Sequence, residues 1–191
     1  GQVKQIKSID VVPNPLAMNM YVLGYTADKK LTQLNQAVKQ NLKTYLSQYR
    51  VLTDAINIKD GYIINVGVRF SIIVRSGYNK NEVLFRAIQA VKRHFDTQKR
   101  QINQPIVLND IAYVISLVEG VISVVPPQDN NPEKNIVVIE NKHKVSEGYS
   151  GNIYDTDAAT RDGIVYPSLD PSIFELKYPN IDIQGRVVGD R

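Results

Sequence analysis

Apolar residues recur along this chain with two periods, and the places where one gives way to the other mark out its elements. Met18–Tyr25 (MNMYVLGY) is a largely apolar run, set off by Pro13 and Pro15 before it and Thr26-Ala27-Asp28 after it, which reads as a strand. Leu31, Leu34, Val38, Leu42, Tyr45 and Tyr49 then fall on one stripe at helical spacing. They predict an amphipathic helix over Lys29–Arg50, capped by Thr26 or Asp28, with Lys29, Lys39, Lys43 and Arg50 on its shoulder.

From Ile64 to Val74 the period changes to two. Ile64, Val66, Val68, Phe70, Ile72 and Val74 alternate with Asn65, Gly67, Arg69, Ser71 and Ile73, as in a strand packed on one face and open on the other. The Asp60-Gly61 step before it favours a tight turn, so Ala55–Ile58 is expected to pair with Tyr62–Arg75 as a hairpin. The even-numbered stripe is expected to lie against the two long helices. Asn79 and Glu82 open a second helix with Leu84, Ile88, Val91 and Phe95 on its apolar face, and Ala87 beside them. Asn109 is placed to cap a third helix carrying Ile111, Val114, Ile115 and Val118, which Gly120 ends before the strand Val121–Val125.

The resulting order from 18 to 125 is β-α-β-β-α-α-β. It predicts an α+β fold, a ferredoxin-like split βαβ domain over 15–126, with helices on one face of an antiparallel sheet. Residues 127–191 carry short apolar runs at Ile136–Ile139, Ile173–Leu176 and Ile181–Val188 among many Asn, Asp, Gly and Pro. They read as a C-terminal extension of short strands and loops with little core of its own. A start at Gly1-Gln2-Val3 without methionine reads as the cut edge of a longer protein, with 1–14 its leading segment.

Charge changes this picture more than overall composition does. Residues 1–100 hold 16 Lys and Arg against 6 Asp and Glu, whereas 101–191 hold 7 against 13. A basic half and an acidic half within one chain point to complementary surfaces meeting in an assembly, or to a polyanionic partner. With no cysteine, the chain has no disulfide, thiolate metal site or cysteine nucleophile. Its apolar runs fall well short of the roughly 20 residues that span a bilayer, so no membrane partner is expected.

Chemistry is harder to find. Glycine-rich phosphate loops and a Gly-x-Ser-x-Gly elbow are absent, and His94 and His143 are not spaced as a metal pair. Asp155-Thr156-Asp157 with Asp162-Gly163 lacks the third acid and closing glutamate of a calcium loop. No catalytic residue, metal, cofactor or small-molecule substrate is therefore expected. The rival to a structural role is a basic nucleic-acid-binding α+β module, with Arg86, Lys92, Arg93, Lys99 and Arg100 extending the lysines of the first helix. Against it, the open face of the main strand offers no aromatic on which a base could stack. Of 11 tyrosines, Tyr149, Tyr154, Tyr166 and Tyr178 lie in the weakly cored extension, where an aromatic with a polar tip suits an interface. With Lys39, Lys43 and Arg50 they form the candidate interface set.

Three blocks carry a resemblance. LNQAVKQNLKTYLSQYRVLTDAINIKDGYIINVGVRFSII (34–73), NQPIVLNDIAYVISLVEGVISVV (103–125) and VYPSLDPSIFELKYPNIDIQGRVV (165–188) resemble, in this order, the C-terminal region of the baseplate wedge proteins of T-even-type contractile-tailed phages, relatives of the baseplate J-like family. The resemblance implies a virion structural protein of the tail baseplate, assembled in the host cytoplasm and without catalysis. The implied partners are the protein itself, as a dimer or in ring contacts, and other wedge proteins.

Overall fold

A computed structural model describes residues 17–49, 55–127 and 135–189. Helix (29%) and strand (34%) contribute in similar measure, so the class is mixed α+β. The chain divides into two compact units, one drawn from 1–22 and 34–60, the other from 23–33 and 61–191.

In the smaller unit, β1 (Ala17–Val22) pairs in parallel with β4 (Ala55–Asp60) over six residues, from Ala17 opposite Ala55 to Val22 opposite Asp60. In chain order, two short strands that belong to the larger unit, β2 (Gly24–Tyr25) and β3 (Leu31–Thr32), come between β1 and the smaller unit's helix, α1 (Gln36–Ser47). The helix is shorter than its apolar stripe predicts, because Asn35 and not Thr26 or Asp28 caps it: the Asn35 Oδ1 accepts from the Val38 N–H at 2.8 Å. Leu31 belongs to β3 and is buried there, so the stripe joins residues of two different elements. The expected hairpin of Ala55–Ile58 with Tyr62–Arg75 does not form either. β4 takes β1 as its partner, and with those strands directly adjacent this βαβ unit is not split by an intervening strand.

The larger unit is built on β5 (Tyr62–Val74), whose two edges are each used by two strands. The elements that follow are α2 (Lys80–His94), β6 (Ile106–Val107), α3 (Leu108–Ser116), β7 (Val121–Val125), β8 (Val137–Asn141), β9 (Thr160–Arg161), β10 (Ile164–Val165), β11 (Ser172–Glu175), α4 (Pro179–Asp182) and β12 (Ile183–Val188). β11 and then β12 run parallel to β5 along one edge, while β8 and β7 run antiparallel along the other. Three strands from 137–188 thus belong to the main sheet, and the buried Val137, Ile139, Phe174, Leu176 and Ile183 join its core.

The period-two stripe is buried as its spacing dictates, with Val66, Val68 and Ile72 fully enclosed. It packs against α2 and α3, through Val83, Ala87 and Val91 of the former and Ile111 and Ile115 of the latter. The second helix packed on it is α3, whereas the first helix, expected there, has none of its side chains buried. The opposite face of β5 is not open. Ile63 packs with Leu31 and Ile173, and Asn65 and Ser71 are buried as well. At Gly67 the cover comes so close that an added Cβ would lie 2.7 Å from the Lys142 side chain.

Helix ends follow the residues in part: Asn109, expected to cap the third helix, lies inside α3, whose N-cap Val107 makes no side-chain cap hydrogen bond. Asn79 caps α2, its Oδ1 accepting from the Asn81 and Glu82 N–H groups at 3.0 and 3.3 Å. Gly120 closes the turn after α3 with φ of +94°, where any Cβ would meet Val83 at 2.7 Å and Tyr78 at 2.8 Å.

Candidate interaction surfaces

The interface residues expected from the sequence separate into those turned inward and those left on the surface. Lys39 pairs with Asp60 at 2.5 Å, both half-buried, which ties α1 to β4 inside the smaller unit. Lys43 is exposed beside Gln40, Thr44, Ser47 and Ile56, around a shallow depression of about 210 Å³. Arg50 lies outside the described residues.

Tyr149 is a core residue, which corrects its assignment to a surface. Its hydroxyl donates to the Asp182 carboxylate at 2.5 Å, and its ring meets Tyr178 edge-on with centroids 5.4 Å apart. Burial, and then the hydrogen bond and charge of Asp182, push the phenol well above its ordinary value. Asp182 is itself buried, and its second oxygen accepts from the Tyr178 N–H at 2.8 Å. Tyr178 is half-buried beneath the Lys30 ammonium, 4.2 Å from its ring centroid. Tyr154 packs on Phe174 and donates to the Tyr166 carbonyl at 2.7 Å. Only Tyr166 of the four is exposed.

A buried polar network, unseen in the sequence pattern, holds the larger unit's insertions to β5. Glu175, at 1% exposure, accepts from the Leu31 N–H at 2.6 Å and from the Asn65 amide at 2.7 Å. Desolvation raises its carboxyl above the usual value, against the lowering effect of those two hydrogen bonds and of Lys177 and Lys30. Asn65 also accepts from the Ser150 N–H at 2.8 Å through its Oδ1, and its backbone carbonyl takes the Lys142 N–H at 2.8 Å. The signal lay in the run Ile173-Phe174-Glu175-Leu176, where one carboxylate interrupts an apolar strand. The arrangement anchors the 23–33 segment to β5.

Of the basic residues grouped with a nucleic-acid reading, Arg86 and Arg100 are engaged, as Lys39 is. Arg86 pairs with Glu82 at 2.8 Å, and Arg100 turns inward, donating to the Pro105 carbonyl at 3.1 Å above the Phe95 ring. Lys92, Arg93 and Lys99 stay exposed at the end of α2 and are joined by Lys29, which the sequence put on the shoulder of the first helix. Together they border a groove of about 520 Å³. His94 is half-buried, and desolvation first, then Arg100, lowers its pKa. His143 stands beside a separate depression along β8 with Asp155 and Asp157. Among the described residues, no cluster of three or more His, Cys, Asp or Glu side chains is arranged to hold a metal ion. No helix among them is long and apolar enough to cross a membrane.

Comparison with models of known protein families and with curated proteins finds no match for this chain.

Proposed function

We propose that this chain is a structural subunit of a contractile phage tail baseplate wedge, acting by self-association and by docking to other baseplate proteins. The resemblance of 34–73, 103–125 and 165–188 to the T-even-type wedge proteins supplies the biological setting. One observation carries the physical side. Among the described residues of the smaller unit, Ile56 is the only buried side chain, whereas Val38 and Tyr45 of α1, and Tyr49 just after it, are exposed at 43%, 56% and 72%. A two-stranded parallel sheet with one helix has its faces covered in ordinary folds, and a pair of strands is marginal by itself. An amphipathic helix with its stripe uncovered suits a module that completes its packing in an assembly.

The charge asymmetry supports the same reading, since a subunit in a ring needs unlike surfaces that face each other. A basic nucleic-acid-binding module is the second reading, favoured by Lys29, Lys92, Arg93 and Lys99 around one groove. Size-exclusion chromatography with light scattering, alone and with a DNA oligonucleotide, separates the two. Self-association without DNA binding is the expected result. A monomer that comigrates with DNA overturns the baseplate assignment.

A further inference from the structure

The groove at the end of α2 combines two features that describe its occupant. Its rim carries Lys29, Lys92, Arg93 and Lys99, set where the carbonyl end of α2 favours positive charge. Among the described residues none of the first three takes part in an ion pair, and Lys99 has only a long contact of 3.8 Å with Asp96. The rest of its lining is mixed, with Phe95, Leu176 and Pro179 beside Gln89, Asp96, Thr97 and Gln98. Four cations against one carboxylate call for an occupant that offers carboxylates, with an apolar side chain for the apolar part.

The same unit presents such a segment. Along 152–157 alternate residues are pinned to the fold: the Asn152 amide donates to the Ile63 carbonyl at 2.7 Å, the Tyr154 N–H to Asn141 Oδ1 at 3.0 Å, and the Thr156 hydroxyl to the Ile139 carbonyl at 2.8 Å. The intervening Ile153, Asp155 and Asp157 point outward, with Ile153 80% exposed. Neither aspartate takes part in an ion pair among the described residues, and Asp155 has the local role of accepting the Ala158 N–H at 2.9 Å. The segment is held in its presented shape before any contact, so little ordering entropy is lost on docking.

We propose that the groove receives the Ile153–Asp157 segment of a second copy of this chain, in a head-to-tail contact. The proposal rests on the self-association reading above and names the surfaces that carry it. Val68 pairs with Ile183 of β12 and with Ile139 of β8, which puts these strands on opposite edges of β5. The segment lies along the β8 edge, and Leu176 and Pro179 of the groove lie between β11 and β12 on the other. Contact between unlike surfaces on opposite flanks leaves each copy one free donor and one free acceptor, so it propagates into a ring or filament. A nucleic acid fits less well: the groove's one aromatic, Phe95, is 2% exposed, and Asp96 stands in the lining.

Sedimentation velocity on the whole chain, from about 0.05 to about 0.5 M salt, tests this, because contacts between exposed charges weaken as screening shortens to a few ångström. The expected result is self-association that weakens at least tenfold across that range. Lys92→Glu/Arg93→Glu, and separately Asp155→Asn/Asp157→Lys with the Asp155 turn cap kept by asparagine, each leave a monomer with unchanged circular dichroism. An equimolar mixture of the two variants forms 1:1 pairs that do not grow, since only one good groove and one good segment remain. Wild-type chain that stays monomeric, variants that associate like wild type, or a mixture without pairs overturns the contact. Should a variant not fold, Lys92→Ala/Arg93→Ala and Asp157→Asn take its place, with the same outcomes read from a weaker association. A single-stranded oligonucleotide whose binding is lost in Lys92→Glu/Arg93→Glu, while self-association persists, also overturns it. Head-to-tail growth without binding to any wedge protein refutes the baseplate setting and leaves the contact standing; wedge binding without self-association does the reverse.

Discussion

Replacing Glu175 with alanine probes the joint on which the larger unit's 23–33 segment depends. The carboxylate is buried, and each oxygen serves a different donor: the Leu31 N–H at 2.6 Å and the Asn65 amide at 2.7 Å. Truncation strands both. An unsatisfied buried donor costs about 1–3 kcal/mol, and bonds to a charged acceptor sit at the upper end. Removal of the poorly solvated charge offsets part of this. The balance is a loss of about 3–5 kcal/mol, a large share of the 5–15 kcal/mol typical of a folded domain. Urea denaturation followed by circular dichroism reads it: with a slope of about 2–3 kcal/mol/M, the midpoint falls by roughly 1–2 M. Native-state hydrogen exchange localises the effect, because the Leu31 amide loses its acceptor and exchanges at least a hundredfold faster. A variant within about 1 kcal/mol of wild type, with Leu31 still protected, would refute the claim that this carboxylate anchors the segment.

The pH response of the same residue follows from its raised carboxyl. The folded state holds this proton more tightly than the unfolded state, so Glu175's contribution to stability is greatest below its unfolded value of about 4.5 and declines as pH rises toward the folded one. Glu175→Gln removes that decline, seen as a flatter dependence of the urea midpoint on pH. Tyr149→Phe takes one donor from the buried Asp182 and is expected to cost about 1–3 kcal/mol in thermal or urea unfolding. In wild type the Tyr149 phenol is raised, so the stability it contributes is lost only as pH climbs past its unfolded value near 10; absorbance at alkaline pH should show a late-ionising tyrosine fraction, with Tyr154 and Tyr49 also raised, that shrinks by one residue in Tyr149→Phe. Gly120→Ala places a Cβ against Val83 and Tyr78 at a backbone angle of +94°, and should lower stability by more than about 1 kcal/mol. Lys29 adopts φ of +60° in the turn 26–30, so Lys29→Gly should hold or raise stability by up to about 1 kcal/mol while removing one cation from the groove.

Local rules made parts of this fold readable. The alternation from Ile64 to Val74 marked the even-numbered side of β5 as buried, since side chains on a strand alternate, but it wrongly left the odd-numbered side open, where Ile63, Asn65 and Ser71 are buried too. Asn79 and Gly120 marked helix ends through the cap and the positive φ that those residues supply cheaply. Pairing was less readable, because strand partners are chosen by non-local packing: Ala55–Ile58 stands next to β5 in sequence yet pairs with β1. Leu31 and Leu34 are in phase with α1 by spacing alone, and the Leu31 N–H bond to Glu175 decides that it is strand. Tyr149 had the composition of an interface residue but a hydroxyl that Asp182 holds in the core. For the surfaces, the charge split between halves, Lys29 and the pair Asp155 and Asp157 stood out in the sequence, while the fold was needed to group Lys29 with Lys92 and Arg93 and to turn Ile153, Asp155 and Asp157 outward.

The most direct test of the assembly account is to mix the tagged chain with the isolated wedge proteins of a T-even-type baseplate and measure what cosediments. The account predicts a discrete complex containing the chain, more slowly formed when Lys92 and Arg93 are reversed. A chain that sediments alone with every wedge protein, at concentrations where those proteins assemble with one another, contradicts it.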